Sequence, residues 1–100
     1  MSKVLVIGGG AAGMFAAIFA AYNGNEVHLF EKNEKLGKKL FITGKGRCNI
    51  TNAADMDTLF GSVVTNSKFL YSSFYGYTNQ DVIDFFERIG VATKVERGNR

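Results

Sequence analysis

The first thirty residues alternate between apolar runs and breaks made of glycine or polar side chains. Residues 4–7 are Val-Leu-Val-Ile, a continuous apolar run with three β-branched members. Such a run predicts a short strand, Lys3–Ile7, of the fully buried kind found in parallel sheets. The alanine-rich stretch Ala11–Asn23 predicts a helix, and Glu26–Phe30 predicts a second strand. This order indicates an α/β fold that begins with a parallel βαβ unit.

The second half has a mixed pattern that predicts mainly helices. Residues 55–73 combine short apolar groups with polar breaks, and part of this segment is expected to be helical. A clearer helix begins after Thr78, a good N-cap, with Asp81 at the third helical position. Its apolar positions form one face: Val82, Ile83, Phe86 and Ile89. Gly90 is expected to end this helix, and Val91–Glu96 predicts the start of a further strand.

Length and composition allow one folded domain at most. The chain has 100 residues, 46% of them hydrophobic and 21% charged, which is typical of a globular protein. A net charge of +3 is mildly basic and does not by itself imply a nucleic-acid partner. Cys48 is the single cysteine, which excludes an internal disulfide and fits a reducing, cytoplasmic location.

The uncharged run Val4–Ala21 raises the alternative of a signal peptide or a membrane span. It contains 18 residues, the lower edge of spanning length, and Lys3 precedes it. However, three consecutive glycines interrupt the run where the apolar core of a signal would be most helical. The following residues, Glu26–Phe30, fit a second strand of the same domain. We therefore expect no membrane partner.

The glycines after the first strand fit the pattern G-x-G-x-x-G. Gly8 permits a tight turn out of the strand, and Gly10 lets a pyrophosphate approach the backbone. Gly13 lets the following helix pack closely on the sheet. The helix N-terminus presents free N–H groups and the positive end of the helix dipole to an anion. The spacing therefore predicts a dinucleotide site.

Glu31 follows the second strand, 18 residues after Gly13. A carboxylate at this position accepts hydrogen bonds from both hydroxyls of an adenosine ribose and repels a 2′-phosphate. This favours FAD or NAD over NADP. The alternative is a plain βαβ unit in which the glycines serve packing alone.

The stretch that follows is rich in basic residues. Six of the twelve lysines and arginines lie between Lys32 and Arg47, with Glu34 as the only acid among them. Gly44 and Gly46 are interleaved with these cations, which is typical of a loop that approaches an anion. A solvated charged surface is the alternative interpretation for any single lysine.

Several motifs together resemble the start of a bacterial flavoprotein family. They are "GGGAAG", then "EK", then "GKKLFITGKGRCNITN", and the similarity continues through "TNQDVIDFFERIGV". The chain is similar to NAD(P)/FAD-dependent oxidoreductases, including flavoproteins like aminoacetone oxidase and bile-acid reductase. The resemblance implies an incomplete Rossmann-type FAD-binding βαβ unit followed by a mixed helical segment. It also implies these FAD contacts: Gly8, Gly10, Ala12, Gly13, Glu31, Lys32, Lys39, Arg47, Cys48, Asn49 and Thr51.

Members of that family are several times longer than this chain. The resemblance therefore implies that residues 1–100 are the N-terminal portion of an FAD/NAD(P)-binding domain. The rest of that domain and a substrate domain would lie beyond it. Full length, such a protein would transfer hydride between a nicotinamide, NAD(P)H, and a small organic substrate through FAD. We expect the 100-residue portion alone to be inactive, and it offers no evident general acid, general base or metal ligand set.

The second motif has physical roles apart from the resemblance. Arg47 and the amides around it are suited to stabilise negative charge on a reduced flavin. Asn49 and Asn52 fit a hydrogen bond to the flavin ring and a role in fixing their own loop equally well. Cys48 also raises the alternative of a catalytic thiol. A dithiol relay needs a second cysteine nearby, so we favour a packing or loop role for Cys48.

Two other functions remain open from the sequence. An NAD-binding domain of a dehydrogenase shares the glycine pattern but leaves the G-R-C-N stretch unexplained. A non-catalytic module that associates with nucleic acid would use the basic loop and the aromatic residues of the second half. We do not expect nucleic acid to be the partner.

Overall fold

The protein consists of two compact units. The structure is a computed structural model that describes residues 1–43 and 48–100. Its first unit is Met1–Cys48 and its second is Asn49–Arg100. Each unit is described by itself below.

The first unit is a parallel βαβ unit followed by a short helix. Its elements are β1 (Lys3–Ile7), α1 (Ala11–Tyr22), β2 (Glu26–Phe30) and α2 (Lys38–Ile42). The two strands pair in parallel, with Lys3 opposite Glu26 at the start of the register. Helix α1 contacts both strands. The predicted α/β fold and the bounds of both strands are therefore confirmed.

Only one face of this two-stranded sheet is covered by the described residues. Val4 and Val6 are half-buried, whereas Leu5 and Ile7 are 58% and 80% exposed. Phe30 on β2 is 52% exposed. The prediction of a fully buried strand is thus wrong for this part of the chain. Within the first unit, helix α1 covers one side of the sheet, and no other described element of that unit covers the opposite side.

Helix α1 ends at Tyr22, one residue earlier than predicted. Asn23 is its C-cap, and Gly24 adopts φ 82°, a left-handed conformation that favours glycine. The side chain of Asn25 donates a hydrogen bond to the carbonyl oxygen of Ala20 at 2.9 Å. Together these residues reverse the chain into β2. Throughout residues 1–43 and 48–100, no helix is long and apolar enough to cross a membrane.

The second unit is mainly helical. It contains α3 (Met56–Gly61), a 3₁₀ turn (Ser67–Leu70), α4 (Tyr71–Gly76), α5 (Asn79–Arg88) and a second 3₁₀ turn (Arg97–Asn99). This arrangement confirms the helical segment predicted after the βαβ unit.

The further strand predicted at the end of the chain is not observed. Val91–Glu96 has no regular secondary structure, because a strand needs a hydrogen-bonded neighbour. The described part of the chain supplies only β1 and β2 as strands, and these pair with each other. The strand-like composition of this segment was therefore not enough to make it a strand.

The apolar face of α5 is centred on a residue that the sequence pattern missed. Phe85 is 2% exposed, and its ring meets that of Phe86 edge-on with 5.2 Å between centroids. Val82 is half-buried, whereas Ile89 is 52% exposed. The residues spaced i, i+3 and i+4 from Val82 therefore form the buried stripe. Phe85 replaces Ile89 in the predicted set.

Helix α5 begins with a capping box, as predicted. The Thr78 hydroxyl accepts the N–H of Asp81 at 3.0 Å, and the Asp81 carboxylate accepts the N–H of Thr78 at 2.9 Å. Two N–H groups that lack an intrahelical partner are thus satisfied.

Replacing Thr78 with alanine should lower the free energy of unfolding by about 1 kcal/mol, the usual cost of losing such a cap. The substitution removes the acceptor for the Asp81 N–H. Chemical denaturation measures the loss. Thr65→Ala, at an exposed position outside the helices, is the matched control and should change stability little. Equal effects of the two substitutions would contradict a stabilising role for the cap.

Candidate functional site

The turn from β1 into α1 begins at Gly8. Its φ of 101° lies in the region that favours glycine. Its N–H donates to the carbonyl oxygen of Phe30 at 2.8 Å, which continues the ladder between the strands. The chain can therefore leave the sheet sharply while still hydrogen-bonded to β2. The role predicted for Gly8 in the turn is consistent with this geometry.

Gly9, the middle glycine of the run, is buried and fully engaged. Its N–H donates to Glu31 Oε1 at 2.8 Å, and its carbonyl oxygen accepts the N–H of Gly37 at 2.8 Å. A Cβ at this position would lie 2.5 Å from Leu36 Cδ2 and 3.2 Å from Glu31 Cβ. The G-x-G-x-x-G pattern allows any residue at this position, so the pattern did not predict a role for Gly9. The available signal was that the run holds three consecutive glycines, one more than the two the pattern requires there.

Gly10 lies at the exposed N-terminus of α1. It is the N-cap, with extended φ and ψ of −83° and −165°. A Cβ at Gly10 would have no described atom within 4 Å. Ala11 and Ala12 are also exposed. A ligand can therefore reach this backbone from solvent.

The backbone N–H groups at this N-terminus have no hydrogen-bond acceptor within the helix. The N–H of Met14 donates to the carbonyl oxygen of Gly10 at 2.9 Å, which is the first bond expected in an α-helix that has Gly10 as its N-cap. The four preceding N–H groups have no partner within a helix, by the geometry of its first turn. They belong to Gly10, Ala11, Ala12 and Gly13. Among the described residues, no side chain caps this end.

Gly13 brings the helix against the turn. A Cβ at Gly13 would overlap the carbonyl oxygen of Gly8 and lie 2.9 Å from its carbonyl carbon. It would also lie 3.6 Å from Val6 Cγ1. Since backbone atoms cannot yield as a flexible side chain can, only glycine fits here without displacing α1. This geometry is the close helix–strand packing expected for the third glycine of the pattern.

Glu31 lies at the glycine turn. Its two carboxylate oxygens each accept a backbone N–H, from Gly9 at 2.8 Å and from Asn33 at 2.8 Å. The N–H of Asn33, followed by that of Gly9, holds the pKa of Glu31 below its ordinary value of 4.5. Glu31 is therefore ionised at neutral pH and oriented by both amides. Because each carboxylate oxygen has a second lone pair, it can still accept a ligand hydroxyl.

The basic segment after Glu31 contains a helix where a loop was expected. Helix α2 spans Lys38–Ile42 and follows Gly37, whose φ of 65° is left-handed. Lys32 and Lys39 are exposed, and an open depression of about 350 Å³ lies along Lys32, Asn33, Glu34, Lys35 and Lys38. Contact of Lys32 and Lys39 with a cofactor stays a prediction.

The G-R-C-N stretch spans both units. Arg47, together with residues 44–46, lies outside the described residues. Cys48 and Asn49 are exposed, and Thr51 is half-buried. Cys48 ends the first unit and Asn49 begins the second. The cofactor contacts assigned to these residues by resemblance stay predictions.

Asn52 fixes its own loop within the second unit. Its amide nitrogen donates to the carbonyl oxygen of Gly98 at 3.0 Å, and its oxygen accepts the N–H of Ala54 at 2.9 Å. The side chain of Asn79 donates to the carbonyl oxygens of Asn52 and Ala54 at 2.6 and 2.8 Å. Of the two roles open for Asn52, the structure supports loop fixing. Asn79, which no sequence pattern singled out, also belongs to this network.

The first unit therefore combines the elements needed to bind a sugar linked to a phosphate. Partly positive N–H groups lie at the exposed N-terminus of α1, and the ionised, oriented carboxylate of Glu31 lies beside the same turn. The N–H groups suit an anion such as pyrophosphate, and the carboxylate suits vicinal hydroxyls.

A family model described as the HI0933-like protein Rossmann domain matches residues 2–100. The match covers the glycine turn, Glu31 and the helical second unit. It is consistent with the parallel βαβ unit described above.

Several curated proteins are similar to this chain. The 3-dehydro-bile acid delta(4,6)-reductase of Clostridium scindens is 38% identical over 102 residues, covering 98% of this chain and 24% of that protein. The ribosomal RNA dihydrouridine synthase of Escherichia coli is 36% identical over 88 residues, covering 88% and 22% respectively. The NADH oxidase of Thermoanaerobacter brockii is 58% identical over 40 residues, covering 40% and 6%. The chain thus spans about a quarter of the length of the first two relatives.

Proposed function

Because the chain belongs to the HI0933-like Rossmann domain family, we propose that it is the FAD-binding, N-terminal portion of a flavin-dependent oxidoreductase. The observation that carries this proposal is the pairing of Glu31 with the glycine turn. The carboxylate of Glu31 lies 2.8 Å from the Gly9 nitrogen, next to the exposed N-terminus of α1. A fold that used these glycines for packing alone would not need an ionised carboxylate there.

The residues of the first unit suit the adenosine diphosphate half of FAD. The amides of Gly10, Ala11 and Ala12 would hold the pyrophosphate, with the positive end of the α1 dipole behind them. Glu31 would accept hydrogen bonds from the ribose hydroxyls. The open space above Gly10 gives the phosphates room to approach the backbone.

FAD, when bound, accepts and donates hydride, which is chemistry that the side chains of this portion do not supply. The chain's own contribution is to bind and orient the cofactor. Arg47 is proposed, from the resemblance alone, as a cofactor contact, because a positive charge near the flavin favours its reduced form. We propose NAD(P)H as the co-substrate.

We propose a small organic molecule as the other substrate. Among the relatives, one is named as a bile-acid reductase and another as an NADH oxidase. Two further relatives, at 36% identity, are named as ribosomal RNA dihydrouridine synthases. RNA is therefore the alternative substrate that an experiment has to address. We also propose a cytoplasmic location, since the lone Cys48 thiol is exposed and a free thiol suits a reducing compartment.

Spectroscopy and titration of the protein expressed from its complete gene test the proposal. We expect a yellow protein with flavin absorption, whose apo form binds FAD far more tightly than NAD in calorimetric titration. Tighter binding of NAD, with no flavin uptake, would instead support the dehydrogenase alternative. RNA binding that weakens steeply with salt would support RNA as the substrate.

A further inference from the structure

We infer that Gly37 is a positioning residue for the turn from β1 into α1 (residues 8–10), which is proposed to bind the pyrophosphate. Its backbone N–H holds the Gly9 carbonyl oxygen and thereby sets the direction of the Gly10 amide. This inference rests on the proposed function, since it concerns how the turn is prepared for a dinucleotide. Gly37 itself needs no contact with the cofactor to have this effect.

The first step is that both backbone polar groups of Gly9 are hydrogen-bonded to residues of the segment 31–37. Glu31 accepts its N–H at 2.8 Å, and Gly37 donates to its carbonyl oxygen at 2.8 Å. Leu36 Cδ2 occupies the space in which a side chain at Gly9 would lie. The two peptide groups that meet at Gly9 are therefore each held by one hydrogen bond from the segment after β2.

The second step follows from the planarity of the peptide bond. No cis peptide bond occurs in the described residues, so the Gly9–Gly10 peptide is trans. In a trans peptide the carbonyl oxygen and the following N–H point in opposite directions. Because Gly37 fixes the Gly9 oxygen on the inner side, the Gly10 N–H is directed to the other side. Gly10 is exposed, with no described atom within 4 Å of where its Cβ would lie.

The third step explains why this position is a glycine. Gly37 has φ 65° and ψ 26°, a left-handed conformation that costs other residues energy. A Cβ would lie 3.1 Å from Met14 Cε, the far end of a flexible side chain that can move. Backbone conformation, rather than lack of space, is therefore the main requirement. Asparagine tolerates this conformation better than alanine does.

Binding measurements on Gly37 variants of the complete protein test the inference. Gly37→Ala favours a different backbone conformation and so misdirects the donor to Gly9. We expect its FAD dissociation constant to rise about tenfold, the equivalent of the usual penalty for a left-handed non-glycine residue. Gly37→Asn should lose less affinity, which is rescue by a residue that keeps the conformation.

Gly24→Ala is the matched control. Gly24 also has a left-handed φ, 82°, and an open Cβ position, but it lies at the opposite end of α1. It should lower the melting temperature as Gly37→Ala does and leave FAD affinity unchanged. Equal loss of affinity in both variants, or unchanged affinity in Gly37→Ala, would overturn the positioning role. If the wild-type protein binds no FAD in the same titration, the proposed function itself fails, and this inference fails with it.

Discussion

Replacing Gly13 with alanine is expected to abolish FAD binding and to destabilise the first unit strongly. The added Cβ would overlap the carbonyl oxygen of Gly8 and lie 2.9 Å from its carbonyl carbon. Both are backbone atoms of the turn, so α1 must move away from β1. We expect the free energy of unfolding to fall by about 3 kcal/mol or more, at the upper end of overpacking costs. Thermal denaturation and FAD titration of the complete protein measure the two effects.

Gly10→Ala separates the requirements of packing from those of binding. A Cβ at Gly10 meets open space, and its φ of −83° suits alanine. The free energy of unfolding should therefore change by less than about 1 kcal/mol, which is the range for exchanging N-cap residues. The methyl group would nevertheless stand where the phosphates approach, so FAD affinity should fall. A Gly10→Ala protein with wild-type affinity would show that the cofactor does not approach this backbone.

The roles of Gly8 and Gly13 were predictable from the sequence because they depend on local geometry. When a strand runs through a glycine turn directly into a helix, the first residue of the turn and the first turn of the helix contact each other, as Gly8 and Gly13 do. The fixed spacing of the motif therefore carries the structural information. The same holds for Thr78 and Asp81, which lie one helical turn apart and cap each other.

Gly9 and Gly37 were not predictable, because their requirement depends on residues distant in the chain. Gly9 is constrained by Leu36 and Glu31, which lie 22 or more residues further along. Gly37 is constrained by its bond to Gly9 and by a backbone angle that no neighbouring residue dictates. In the sequence, Gly37 stands among lysines, where the charge pattern predicted a loop that approaches an anion and pointed to no single glycine.

The wrong expectations have a common physical cause. The segment Val91–Glu96 has a strand-like composition, and Leu5 and Ile7 have the apolar character of buried strand residues. Regular pairing and burial need a neighbouring strand or a second layer, which the described residues do not supply. The hydrophobic pattern indicates which environment a residue favours. Its actual burial depends on which neighbouring strands and helices pack against it.

Glu31→Gln is expected to raise the FAD dissociation constant by about 10- to 100-fold, the range for losing hydrogen bonds to a charged acceptor. Both carboxylate oxygens of Glu31 accept backbone N–H groups, from Gly9 and Asn33. A glutamine has a single acceptor oxygen, so its NH₂ group would face one of these donors. The turn loses its orientation and the ribose loses an anionic acceptor, although size and shape are nearly unchanged.

Glu34→Gln is the control, because it removes the same charge from an exposed neighbouring position. It should leave FAD affinity close to the wild-type value. If both variants weaken FAD equally, the effect of Glu31 is one of general charge and not of the two hydrogen bonds.

The pH dependence of FAD affinity adds a second test of Glu31. Hydrogen bonds from Asn33 and Gly9 lower its pKa below the ordinary value of 4.5. In the FAD-free protein Glu31 stays ionised until the pH falls through this lowered pKa, where protonation would remove the anionic acceptor proposed for the ribose. The contribution of Glu31 to affinity should therefore be constant around neutral pH and decline only below pH 4.5. Glu31→Gln should remove this acid decline, and an unchanged decline in the variant would assign it to another group.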